Sequence, residues 1–269
     1  MADYEFRLDG PISLSCRLGG GSLEIHAEPG RQVAQVVAEP RDPRSDVLER
    51  GTIELRGSQL IVHVPDEGSS FGHSDRDNVD LTVWVPATTA MRLAAGSADI
   101  TVHGRSGAMD VRTGSSTINL DEVEGELSAR TGSGDLRARL VTGAATCKGG
   151  SGDVEIDTVG GDLAVTVGSG DLQLGTARGS VRLRSGSGTA DIGSLSQDAD
   201  LTSGSGSLTI GLAAGVRARL DVRTGSGQVR TEMPLENSAG DGPTIKLRAR
   251  TGSGDITVRR AMVAEVPVS

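Results

Sequence analysis

Gly150-Ser151-Gly152-Asp153-Val154-Glu155-Ile156 is one copy of a phrase that the chain keeps repeating. Its serine recurs at Ser97, Ser115, Ser133, Ser151, Ser169, Ser187 and Ser205, eighteen residues apart each time. Two wider steps follow, of twenty-one residues to Ser226 and twenty-seven to Ser253. A fixed period of this size is the mark of a solenoid. Each unit carries two apolar pairs with one residue between, such as Val154/Ile156 and Leu163/Val165, and a fifth apolar position at Val159. The fifth column runs Val123, Val141, Val159, Ala177, Leu195, Ala213, with Arg105 as an anomalous first member.

One unit is too small to bury both of its apolar pairs. Identical coils laid about 4.8 Å apart bring like columns into register and line one core. A second glycine column, Gly107, Gly125, Gly143, Gly161 and Gly179, marks the other corner, where tolerance of positive φ is useful. The pattern predicts an all-β, single-stranded β-solenoid (β-helix) of parallel 18-residue coils. Strand twist favours a right-handed crossover.

Composition fits a thin aliphatic core. Aromatics are 1% of the 269 residues, all before the repeats, and glycine, at 39, is roughly twice its usual share. The net charge of -9 argues against nucleic acid as a partner. No stretch is apolar for long enough to span a bilayer, and Met1–Phe6 lacks a signal peptide's basic and apolar regions, so direct membrane insertion is not expected. Cys16 and Cys147 belong to no motif, which fits a reducing compartment. The expected location is cytoplasmic.

Residues 1–93 read as an irregular β-rich capping region. Its strands are placed at Ile12–Leu18, Ser22–Ala27, Val33–Ala38, Gly51–Arg56, Gln59–Val64 and Val79–Val85, on their period-two apolar alternation. Regular coils are expected over 94–258, with a loop inserted at 232–243, and 259–269 as a tail that covers the open end or is disordered.

The acidic column after the glycines is the first place to look for chemistry. It reads Asp99, Thr117, Asp135, Asp153, Asp171, Thr189, Ser207 and later Asp255. Asp135, Asp153 and Asp171 are its calcium candidates, with Arg130, Lys148 and Arg184 near enough in sequence to screen them. Calcium-binding rolls, however, need acid ligands on successive half-turns, and hydroxyls replace carboxylates poorly on a hard cation. Short oxygen-bearing side chains that accept backbone N–H bonds explain the column better. The basic column Arg112, Arg130, Lys148, Arg184, Arg223 and Arg250 reads either as a solvated face paired with acids or as a surface for an anionic polymer. His26, His63, His73 and His103 are scattered; His73-Ser74-Asp75-Arg76-Asp77 alone combines a histidine with carboxylates. No nucleophile elbow, Walker loop or zinc-spaced Cys/His pair occurs. No catalytic residue and no cofactor is expected.

The copies Gly132–Ala138, Gly150–Ile156 and Gly168–Leu174, with the lead-in Val79-Asp80-Leu81-Thr82-Val83-Trp84-Val85-Pro86 and Ala94–Ile100, resemble the bacterial β-strand repeat family DUF4097, which carries a "putative adhesin" label. The resemblance covers about residues 10–258. It implies a β-solenoid without established catalytic residues, found beside bacterial envelope-stress components. The functional expectation is a non-enzymatic interaction or scaffold protein with a protein or glycan partner. The alternatives are self-association through terminal coils, as in bactofilin β-helical cores, and a polysaccharide-active β-helix enzyme.

Overall fold

The computed structural model describes residues 1–65, 77–232 and 243–261. The chain is a β-solenoid of two facing sheets, with 13 and 12 strands. Each repeat gives one strand to each sheet. Val154–Val159 and Leu172–Ala177 lie side by side in the 13-strand sheet, and Ala145–Ser151 and Leu163–Ser169 in the other. Pairing is parallel and in register, so Ile156 neighbours Leu174 and Leu174 neighbours Ile192. All three are buried, at 1%, 1% and 0% exposure. Alternation of apolar and polar residues turns one side of each strand to the shared interior. That interior is almost wholly Val, Leu, Ile and Ala.

Glycine at the serine-bearing corner answers two demands. Gly170 has φ +151°, in the region that favours glycine. Gly168 does not, but a methyl group there would lie 2.7 Å from the carbonyl oxygen of Gly150 in the rung below. The second glycine column is governed mostly by the second demand. Only Gly125 in it has positive φ, whereas a Cβ on Gly161 would meet the Ala144 nitrogen at 2.7 Å. Close rung stacking, more than backbone handedness, therefore selects glycine at this corner, which corrects the expectation from φ alone.

Arg105 is anomalous only in the count. The register shifts against the next strand, so that Glu122 pairs with Arg105 and Val123 with Ser106. Fully buried Ser106 takes the inward position and bonds through Oγ to the Glu122 carbonyl at 3.0 Å. Arg105 stays outside, with Nε 3.1 Å from Glu122.

Chain order and spatial order differ at both ends. The coil of Ser13–Leu18 and Gly21–Glu28 lies between that of Gln59–His63 with Val79–Pro86 and that of Ala90–Ala95 with Asp99–Ser106. At the other end, Thr244–Ser253 and Ile256–Arg260 form a rung between Ala199–Ser205/Leu208–Leu212 and the outermost coil, Arg217–Ser226/Val229–Glu232. Residues 1–93 thus supply rungs to the same two sheets as well as a cap. The cap is antiparallel: Ala2–Arg7 on Val33–Pro40, that strand on Val79–Pro86, and Thr52–Arg56 on Gln59–His63. A single helical turn, Val47–Arg50, adds a fully buried Val47.

The six N-terminal strands read from sequence match those observed to within two residues at either end. Ala2–Arg7, Ala90–Ala95 and the helical turn had no sequence signal that stood out. Arg259 and Arg260 finish the last strand and are not tail. Of the loop placed at 232–243, residues 233–242 lie outside the described residues, as do 262–269. Among the described residues no helix is long and apolar enough to cross a membrane.

Candidate functional site

The solvent-facing side of the 12-strand sheet carries an uninterrupted ladder. From one end it reads His63, Arg17, Ala94, Arg112, Arg130, Lys148, Thr166, Arg184, Thr202, Arg250 and Arg223, each in register with the next. No carboxylate occupies any of these positions. Strand alternation throws all of them outward, and parallel register holds successive members one rung apart. Arg112 is met by Asp110 at 2.9 Å, while Arg223 and Arg250 each lie 3.1 Å from Asp221. Arg130, Lys148 and Arg184, at the middle of the ladder, are exposed and take part in no ion pair among the described residues. The reading of this column as a solvated face paired with acids holds at Arg112, Arg223 and Arg250 and fails at Arg130, Lys148 and Arg184.

The acidic column lies at a corner beside the other sheet. Within the regular coils each carboxylate accepts the backbone N–H eighteen residues on: Asp99 from Thr117 at 2.9 Å, Asp135 from Asp153 at 3.0 Å, Asp153 from Asp171 at 2.8 Å, and Asp171 from Thr189 at 2.7 Å, whereas Asp255 accepts from Gln228 at 2.9 Å. The calcium candidates Asp135, Asp153 and Asp171 thus each use one oxygen to tie rung to rung. Asp135 is met by Arg137 at 3.5 Å, and Arg130, Lys148 and Arg184 are on the opposite sheet. At the second corner Asp162 accepts both the N–H and the hydroxyl of Ser180 at 2.8 Å, and these bonds hold its carboxyl below the ordinary aspartate range.

Near the capped end, Arg41 donates to Asp80 at 2.7 Å and Ser22 adds a bond of 2.7 Å. The Arg41 guanidinium, first among these, keeps the Asp80 carboxyl low despite partial burial. Burial pushes the thiols of Cys16 and Cys147 up to about 12, and neither is in a disulfide.

Scattered in sequence, His26 and His103 meet in the fold. Register sets Trp84, His26 and His103 side by side on the outer face of the 13-strand sheet. His26 stacks on Trp84 with ring centroids 5.4 Å apart and on His103 at 4.9 Å. Glu24, two residues before His26 and therefore on the same face, lies 3.3 Å from His26 and 3.1 Å from His103. His63 is on the other sheet, and His73 is outside the described residues.

Known structures share this architecture. One from Bacteroides fragilis NCTC 9343, described as a "putative adhesin", is similar over 96% of each chain, with 14% identity and a TM-score of 0.52. Another, described as a "putative lipid binding protein" from Parabacteroides distasonis ATCC 8503, is similar over 95% of this chain and 96% of its own, with 12% identity and a TM-score of 0.58. At such identities the likeness is one of fold. No curated protein matches the chain. The Toastrack DUF4097 family, by contrast, matches residues 45–266, which takes in all the regular eighteen-residue coils and leaves out the strands before residue 45. With eighteen-residue coils, two facing parallel sheets and this match, the chain belongs to the Toastrack DUF4097 family.

Proposed function

We propose that the protein is a non-enzymatic scaffold whose 12-strand sheet binds an acidic glycan lengthwise. The observation that carries this reading is the ladder from Arg17 to Arg223, with Arg130, Lys148 and Arg184 uncompensated at its centre. Arg112, Arg130 and Lys148 on successive rungs, with Arg184 two rungs further, suit a polymer with one acid group per sugar ring. An extended peptide fits less well, because its same-face side chains recur only about every 6.7 Å. A rigid sheet offers its cations without a backbone ordering cost, and local charge outweighs the net acidity at contact range, since screening confines the effect to about 8–10 Å.

Several features favour binding over catalysis. The acids of the corner column each hold a backbone N–H, and the ladder itself contains no acid to serve as a proton donor. We place the protein in the bacterial cytoplasm, where two buried unpaired thiols are at home, with an envelope-derived glycan or its precursor as partner. End-to-end polymerisation is less favoured, because antiparallel strands and the Val47 turn cover one end.

Retention on immobilised polygalacturonate, compared with a neutral glucan, tests the reading. Retention by the acidic polymer alone, falling steeply with added salt, is expected. Equal retention on both, or none on either, would overturn it.

A further inference from the structure

We propose that Glu24, His26 and His103 bind a divalent transition-metal ion on the outer face of the 13-strand sheet, the side opposite the cationic ladder. Oε1 of Glu24 lies 3.3 Å from Nε2 of His26 and 3.1 Å from Nε2 of His103, and the three ligand atoms are all within 4.8 Å of one another. A tetrahedral ion with bonds of about 2.0–2.1 Å separates its ligands by roughly 3.3 Å. Two of the three edges therefore already have the length a bound ion would impose. The donor set selects the ion class. Two imidazoles and one carboxylate suit zinc, copper or nickel, whereas calcium and magnesium ask for oxygen donors.

The backbone needs no rearrangement. Glu24 and His26 share a strand, and His103 is the in-register partner of His26 on the next. One element has to move. The two imidazole planes are 17° apart, so their in-plane lone pairs run side by side instead of converging. A small rotation of His103 about its terminal torsion, which is broad for histidine, tilts its ring out of the stack and turns its Nε2 lone pair toward that of His26. His26 has less freedom, being sandwiched between Trp84 and His103. Glu24 and His103 are 48% and 44% exposed, which leaves the remaining coordination positions to water or to a ligand from solution. Each imidazole binds through an unprotonated Nε2, so protons compete with the ion.

Trp84 provides the assay. It is the chain's single tryptophan and stacks directly on His26. Copper(II) added to the untagged full chain near neutral pH should quench its emission saturably with one equivalent, and zinc(II) in large excess should reverse the quenching, since copper binds such donors more tightly. His103→Ala and Glu24→Gln should each weaken the effect about tenfold or more, since even outer-shell changes cost metal sites that much. Both variants leave the His26–Trp84 stack in place, and an unchanged thermal midpoint without metal establishes that they fold. His63→Ala and His73→Ala should quench like the native chain. Unsaturable quenching, full quenching in His103→Ala or Glu24→Gln, or its loss in His63→Ala or His73→Ala would overturn the assignment.

Discussion

The Asp198 carboxylate accepts the backbone N–H of Lys246 at 2.8 Å, although forty-eight residues separate them. Within the regular coils the same bond spans eighteen, as from Ser180 to Asp162. The difference records the rung exchange at the C-terminal end. The chain steps past one rung to lay down the outermost coil, and a later segment fills the gap. Arg260 holds the step, donating to the carbonyls of Val216 at 2.6 Å and Ala213 at 3.4 Å.

If that clasp secures the exchange, Arg260→Ala should destabilise the end locally. A hydrogen bond from a charged group is worth about 1.5–3 kcal/mol. Hydrogen exchange should accelerate in Arg217–Ser226 and Val229–Glu232 while residues 118–195 keep their protection. Uniform acceleration would show that the end is not a separate unit.

Column packing gives a second expectation. Ile156→Ala should cost about 2–5 kcal/mol in chemical denaturation, the range for truncating a buried aliphatic residue. A loss below about 1 kcal/mol would mean that Ile156 does not face a continuous core.

The stacking glycines are tested by adding a single methyl. Gly168→Ala brings a Cβ against the Gly150 carbonyl and should cost about 1–3 kcal/mol through displaced rungs. Gly10→Ala, which meets nothing within 4 Å, should be close to neutral. Equal effects would remove close approach as the reason for glycine in the column.

Acid should weaken the fold through Asp80 and Asp162. Both have folded pKa values below the unfolded one, so their stabilisation is complete above about pH 3.9 and is lost as pH falls through the lower folded values. Asp80→Asn should therefore reduce stability at neutral pH and flatten its fall in acid. The exposed Arg41 pair limits the effect to about 1 kcal/mol. An unchanged acid limb in Asp80→Asn would assign the fall to other groups.

Most of the architecture was legible in the sequence because a strict period needs no long-range information. Once Val154, Leu172 and Ala190 are spaced by eighteen, their register follows. The exchanged ends were not legible. The steps of twenty-one and twenty-seven residues to Ser226 and Ser253 showed that the coil changed, but not that Ser253 pairs with both Ser205 and Ser226. The same exchange at the other end hid the Glu24–His26–His103 cluster, since no period relates positions 26 and 103. The basic column was visible throughout. Its central cations read as paired because sequence distance does not tell which sheet an acid faces.

Two double charge reversals of equal net charge test the central claim most directly. Arg130→Glu with Lys148→Glu alters the ladder, and Arg137→Glu with Arg139→Glu alters the opposite sheet. Affinity for polygalacturonate, measured by titration at fixed salt, should fall at least about tenfold, or 1.4 kcal/mol, in the first pair and stay near the native value in the second. Equal loss in both would mean that net charge, and not the ladder, governs binding.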